Sequence, residues 1–286
     1  MKPIVSISEV DIFFDGIFSE PRLRHPEGLA IDGEGNVWCG GEGGEIYSIR
    51  RDGSEIELVA STNGFTLGLA FDGTGNLYTC DLKHAAVFRL DATGRLERFV
   101  DGNEVRKLRA PNFPVVDEQR DCLYVSDSYD MKGPGPGIWR FDLSTGEGDL
   151  WYDRPMTFAN GMALSSERNF LYVAETFARR VIRIPVLPDG SAGDAETFVR
   201  DIERLPDGLA FDARGNLYVS CYEPSRIYRV HPDGEIHLLV DDPVHTRCAT
   251  RPAARSGEPN CSRPTWAAGI SGASKLASRA SRCRDA

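Results

Sequence analysis

The sequence has no run of about 18 apolar residues, so no membrane-spanning helix is expected. Its first residues, MKPIVSISEVDIFFDG, lack the apolar stretch of roughly 7–15 residues that a secretory signal needs, and a cytoplasmic location is expected. There is no CxxC pair among the seven cysteines. Cys39, Cys80, Cys122 and Cys221 fall in or beside expected strands, where buried free thiols are expected rather than disulfides or metal ligands. There is no excess of basic charge: 43 acidic against 33 basic residues leave a net charge of −10. Phosphate binding needs clustered Lys and Arg, so nucleic acid and anionic membrane are excluded as expected partners, and the acidity is assigned to solubility. No GxSxG nucleophile elbow occurs, and the five histidines are scattered. Glycines in GxGxxG-like spacing lie in turns, so a nucleotide site is unsupported. Apolar residues nowhere keep a period of 3.6, which leaves no support for a long helix.

What is present is a repeat. PEGLAIDGEGNVWCGG recurs as TLGLAFDGTGNLYTCD, PNFPVVDEQRDCLYVSD, ANGMALSSERNFLYVAE and PDGLAFDARGNLYVSC. Each copy has an apolar strand, a turn rich in Asp and Gly, and a second strand carrying an aromatic: Trp38, Tyr78, Tyr124, Tyr172 or Tyr218. An alternating strand follows each copy (EIYSIR, AAVFRLD, GIWRFDL, RVIRIPV, RIYRVHP), then a turn and a last strand such as IELVA or IHLLV. Four short strands at a period of about 40–48 residues are the mark of a propeller blade. An all-β, six-bladed β-propeller is therefore expected. Five units lie between about residues 25 and 242, and a strand around Val10 to Phe18 is expected to close the ring.

Residues 1–246 are read as the propeller and 247–286 as an aberrant tail in the place of a degraded or altered sixth blade. Of the last 40 residues, 31 are Ala, Arg, Ser, Pro, Gly or Cys, and no strand pattern appears. Eight basic and two acidic residues give this segment +6, against −16 for the rest. A shifted reading frame of GC-rich coding DNA accounts for that composition; a natural disordered basic tail is the alternative.

Aligned on their first strands, the units place Glu27, Asn112, Asn160 and Asp207 at one repeat position, with Leu67 in the second unit. Equivalent inner-strand positions of a propeller converge on its axis. Singly, each polar residue here is an ordinary turn residue, and Glu27, Asn160 and Asp207 each precede a glycine; four at one position point to a shared site. Carboxylates and amide carbonyls brought together want a hard cation, and six to eight oxygens suit calcium. The absence of His and Cys from the set argues against zinc and copper. A second repeat position holds Asp81, Asp127 and Glu175, against Gly41 and Cys221, with salt bridges or turn starts as the structural alternative.

At HPEGLAIDGEGNVW, FANGMALSSERNFLYVAET and LPDGLAFDARGNLYV the chain resembles the senescence marker protein/gluconolactonase/luciferin-regenerating family of six-bladed propellers. The resemblance runs from about Val10 to Asp242. It implies a metal-dependent lactonase, with Glu27, Asn160 and Asp207 as ligands of calcium, or of zinc or another divalent metal. It further implies Asn112 as a substrate residue. Arg109, three residues before Asn112, stands near the place where that family often carries an arginine two residues before Asn-Asp-Gly. TLGLAFDGTGNLYTCD, PNFPVVD and FANGMALS are also similar to the strictosidine-synthase-like branch, whose chemistry differs.

The resulting expectation is a hydrolase of a lactone or related ester acting on a small-molecule substrate. The metal would polarise the carbonyl, and Asp207 would double as ligand and general base. Asp127 or Glu175 are alternative bases. His25, beside Glu27, could shuttle protons, although a surface histidine at a strand start is the plainer reading. The competing classes are a propeller of other chemistry, a non-enzymatic binding propeller and an inactive product of a damaged gene. The insertion from Tyr129 to Gly137 is placed to shape either a substrate mouth or a partner face.

Overall fold

The computed structural model describes residues 1–222 and 225–243. Twenty strands form five separate four-stranded antiparallel sheets, each a run of consecutive hairpins. The first blade is β1 (Glu27–Ile31), β2 (Val37–Gly40), β3 (Glu45–Ile49) and β4 (Ile56–Ser61). The second is β5 (Thr66–Phe71), β6 (Leu77–Asp81), β7 (Ala86–Leu90) and β8 (Leu96–Val100). The third is β9 (Pro111–Asp117), β10 (Cys122–Asp127), β11 (Gly135–Asp142) and β12 (Gly148–Met156). The fourth is β13 (Ala159–Leu164), β14 (Phe170–Glu175), β15 (Arg180–Pro185) and β16 (Glu196–Val199). The fifth is β17 (Leu205–Phe211), β18 (Leu217–Tyr222), β19 (Ser225–Val230) and β20 (Ile236–Asp242). The first strands of successive blades touch in chain order, β1 to β5, β5 to β9, β9 to β13 and β13 to β17, so they face the axis of a propeller.

The repeated Asp-x-x-Gly-Asn turn is explained by its hydrogen bonds. In the second blade the Asp72 carboxylate accepts the N–H groups of Thr74 and Asn76 at 2.9 Å, the Asn76 side-chain amide at 2.8 Å and the Tyr78 hydroxyl at 3.3 Å. Asp32 does the same for Asn36 and the Trp38 indole, and Asp212 for Asn216 and Tyr218. One carboxylate thus locks the hairpin and ties down the buried aromatic. Between blades, alternate side chains interdigitate in apolar seams; Tyr124, Ile138, Met162, Leu171 and Val173 form the seam of blades three and four.

Two expectations are corrected. Six blades are expected and five are described. The sixth, together with the altered tail 247–286 and the frame-shift account of it, lies outside the described residues. The expected closing strand over Val10 to Phe18 is not a strand. This segment instead spreads over two blade faces. Ile4 and Val5 donate their N–H groups to the carbonyls of Leu238 and Leu239 at 3.0 and 2.9 Å. Val5, Ile7 and Val10 pack on Tyr218, Ile227, Leu239 and Val240 of the fifth blade. Phe13, Phe14 and Leu23 pack on Val37, Cys39, Tyr47, Ile49 and Ile56 of the first. Covering two apolar faces outweighs edge pairing for so apolar a segment. Cys39, Cys80, Cys122 and Cys221 are buried free thiols, as expected.

Candidate functional site at the propeller axis

Every inner strand carries an irregularity in its pairing at the same place. The register shifts lie between Glu27 and Leu29, between Thr66 and Leu69, opposite the Val125–Asp127 step in the third blade, between Ala159 and Met162, and between Pro206 and Leu209. Leu67, Asn112, Asn160 and Asp207 lie inside these bulges, and Glu27, paired with Gly40, stands at the edge of its own, before the unpaired Gly28. A bulge re-aims a side chain and leaves backbone groups without ladder partners. Hydroxyls of the second strands serve those groups. Ser126 Oγ accepts the Phe113 N–H at 2.9 Å, Ser220 Oγ accepts the Gly208 N–H at 2.9 Å, and Thr79 Oγ1 donates to the Gly68 carbonyl at 3.2 Å.

The glycine after a bulged residue lets the inner strands close on one another. A Cβ on Gly28 would stand 2.4 Å from the Leu67 carbonyl oxygen, and one on Gly161 would stand 2.2 Å from that of Asp207. These contacts make Glu27 and Leu67 neighbours at the axis, and likewise Asn160 and Asp207.

Asp207 is half-buried at the axis. Desolvation there pushes its carboxyl up to about 7; the charge of Glu27 pushes the same way, and a hydrogen bond from Asn160 opposes both. Asn160 is buried, and its Nδ2 donates to Thr176 Oγ1 at 3.1 Å. Asn112 Nδ2 donates to Ser128 Oγ at 3.0 Å. Glu27 accepts from His25: Nε2 of the ring stands 3.1 Å from Glu27 Oε1, and Nδ1 stands 3.2 Å from Glu42 Oε2. The hydrogen bond to Glu27 raises the His25 pKa above its usual range against the lowering effect of burial. The plain surface histidine of the sequence reading is therefore a rim residue pinned between two carboxylates. It adopts a φ of 40° to reach them.

The second repeat position is structural. Asp127 is buried and accepts the N–H groups of Arg109, Ala110 and Tyr129 at 3.0, 2.9 and 3.0 Å. Glu175 accepts from the Thr157 N–H at 2.9 Å and pairs with Arg180 Nε at 2.5 Å; Asp81 accepts from Thr62, Phe65 and the His84 N–H. Each carboxylate anchors the loop that enters its inner strand, and both oxygens of Asp127 and of Glu175 are engaged in doing so.

Those loops form the rim. Arg109 is exposed there, its guanidinium 4.2 Å above the ring of Tyr129 from the insertion. Phe158, at a φ of 59°, and Phe177 meet in a tilted pair with ring centres 4.9 Å apart. The residues missed from sequence are these aromatics and the hydroxyls of Ser128 and Thr176. Asp127-Ser128 and Glu175-Thr176 share a repeat position, which was the available signal.

Among the described residues, no three His, Cys, Asp or Glu side chains cluster as a ready metal cage. Two carboxylates, Glu27 and Asp207, act on one another through their charges, and the Asn160 amide bonds to Asp207. That set fits a cation: two carboxylates and an amide carbonyl are oxygen donors of the kind calcium takes.

Fold and axis together define a β-propeller with a polar axial site. Residues 59–258 match the SMP-30/gluconolactonase/LRE-like region, and the chain belongs to that family. Among its relatives, strictosidine synthase-like protein 9 of Arabidopsis thaliana is 27% identical over 226 residues, which cover 73% of this chain and 60% of that protein. The lactonase drp35 of Staphylococcus saprophyticus is 27% identical over 256 residues, covering 79% of this chain and 74% of the relative. Among solved structures, regucalcin from Agrobacterium tumefaciens, described as a calcium-binding protein, superposes with a TM-score of 0.63 at 18% identity. The match covers 76% of this chain and 74% of regucalcin. At that identity it speaks for the fold. Among the described residues no helix is long and apolar enough to cross a membrane.

Proposed function

We propose that this chain is a divalent-metal-dependent hydrolase of lactones or related carboxylic esters, with calcium as the cation. The observation that carries this reading is the Asp207 carboxyl, half-buried at the axis, within reach of Glu27's charge and raised to about 7. Glu27, Asn160 and Asp207 would hold the cation. All-oxygen donors favour calcium over zinc. Bound there, it supplies a Lewis acid for the ester carbonyl. Family membership and a lactonase relative support the ester as substrate class. A net charge of −10 supports a small neutral or cation-paired molecule over nucleic acid.

The chain's own residues then have defined work. Asp207 would take the proton of the attacking water and return it to the ring oxygen as the acyl C–O bond breaks. Asn112 accepts from a substrate hydroxyl with its carbonyl oxygen, because its Nδ2 is engaged by Ser128. Arg109, held over the ring of Tyr129, presents N–H donors to substrate oxygens at the rim. Phe158 and Phe177 exclude water beside the inner strand of the fourth blade.

The test is acid release from a panel of lactones, followed with added calcium, with chelator, and in Asp207→Ala. Turnover that needs calcium and vanishes in the variant is the expected result; full activity in Asp207→Ala sinks the assignment. Similarity to a strictosidine synthase-like protein favours, as a second reading, a propeller of other chemistry. Calcium binding without turnover of any lactone would select it.

A further inference from the structure

The residue that follows the second repeat position varies with the axial residue of its own blade. Where the axis carries Asn112, that residue is Ser128; where it carries Asn160, it is Thr176; where it carries Leu67, it is Leu82. In the first blade it is Glu42, which reaches Glu27 through His25. In the fifth blade, with Asp207 at the axis, it is Tyr222. A Ser or Thr stands at this position in the third and fourth blades, the two whose axial residue is an asparagine.

The hydrogen bonds say what the hydroxyls do. Ser128 Oγ donates to the Ala159 carbonyl at 2.7 Å, and Thr176 Oγ1 donates to the Pro206 carbonyl at 2.8 Å. Each hydroxyl has one proton, and it is spent on that carbonyl. Toward the asparagine each can then only accept. Asn112 and Asn160 must therefore present Nδ2 to the hydroxyl, as the 3.0 and 3.1 Å contacts record. A flipped amide would set two oxygens against each other. Ser128, Thr176 and Asn160 are all buried, so no water offers an alternative partner at low cost. The carbonyls that receive the protons belong to the residues just before Asn160 and Asp207. The chain of bonds thus runs from one axial residue to the next across each blade seam.

We propose that Ser128 and Thr176 are positioning residues that fix the amides of Asn112 and Asn160 with their carbonyl oxygens directed away from the second strand and into the axial site. For Asn160 this rests on the calcium reading given above, since the oxygen so directed is a cation ligand.

Isothermal titration with calcium, on metal-free wild type, Thr176→Val and Thr176→Ser, tests it. Loss of a partner that orients a ligand weakens affinity about 10–100-fold, so that loss is expected in Thr176→Val, with recovery in Thr176→Ser. A Thr176→Val chain that melts earlier but binds calcium as wild type does would show a packing role only and overturn the proposal. Hydrogen exchange of the Asn160 side-chain amide, read by NMR in the same three chains without metal, decides independently. Slow exchange in wild type and Thr176→Ser with fast exchange in Thr176→Val is expected; equal rates in all three overturn it. A wild-type chain that binds no calcium sinks the calcium reading, and the amide exchange still answers for the positioning role. Should Thr176→Val not fold, Ser128→Ala repeats the exchange measurement at Asn112.

Discussion

The charge of Glu27 reaches Asp207, on the opposite flank of the described ring, and helps hold its carboxyl near neutrality. The folded-state value, about 7, lies above the usual aspartate value of 3.8, so the stability this group contributes is complete below about pH 4 and lost as the pH rises through about 7. Three units correspond to about 4 kcal/mol at most, less whatever water in the lumen screens. Chain without calcium should therefore melt lower at pH 8 than at pH 5, and Asp207→Asn should flatten that dependence. Calcium should raise the melting point more at pH 8 than at pH 5. An Asp207→Asn variant with the wild-type pH profile would refute the assignment.

His25 titrates in the other sense of partnership. Its pKa is raised chiefly by the hydrogen bond to Glu27, so the stability it adds is present in full below the usual histidine range near 6.5 and fades as the pH climbs through the folded value. His25→Gln is expected to cost about 1 kcal/mol at pH 6 and little at pH 9. Denaturant melts at the two pH values measure it.

Asp127 is expected to be needed for folding and not for proton transfer. Asp127→Ala strands the N–H groups of Arg109, Ala110 and Tyr129 and should destabilise by about 3 kcal/mol or more. Calcium affinity of the fraction that folds should change far less than in Asp207→Ala.

Gly161→Ala should break the seam between the fourth and fifth blades, because its Cβ would lie 2.2 Å from the backbone oxygen of Asp207. Gly75→Ala is the control. It has open space around it and a φ of 89°, so it should cost only about 1 kcal/mol of backbone strain. Melts of the two variants should differ widely.

Deleting residues 1–23 should expose the apolar faces of the first and fifth blades that Phe13, Phe14, Val5 and Ile7 cover. Loss of cooperative melting, or association seen by light scattering, is expected. A shortened chain that melts and migrates as the full chain does would show those faces to be covered by something else.

Blade architecture was legible because it is written in near-neighbour chemistry. Period-two apolar runs pair as hairpins, and each Asp72-like carboxylate bonds groups within six residues of itself. Equivalence of repeats places Glu27, Asn112, Asn160 and Asp207 at one position of the repeat. Other features depend on residues far apart in the chain. Asp127 and Asp207 read alike as acids in a repeat; folding puts three backbone N–H groups on the first and Glu27's charge beside the second. The N-terminal segment read as a strand, and two apolar faces drew it off that path. Hydrogen-bonded turns are decided within a few residues, whereas burial, charge proximity and close approach exist only once distant strands are packed, and at this axis they separate the groups that hold the fold from those free to do chemistry.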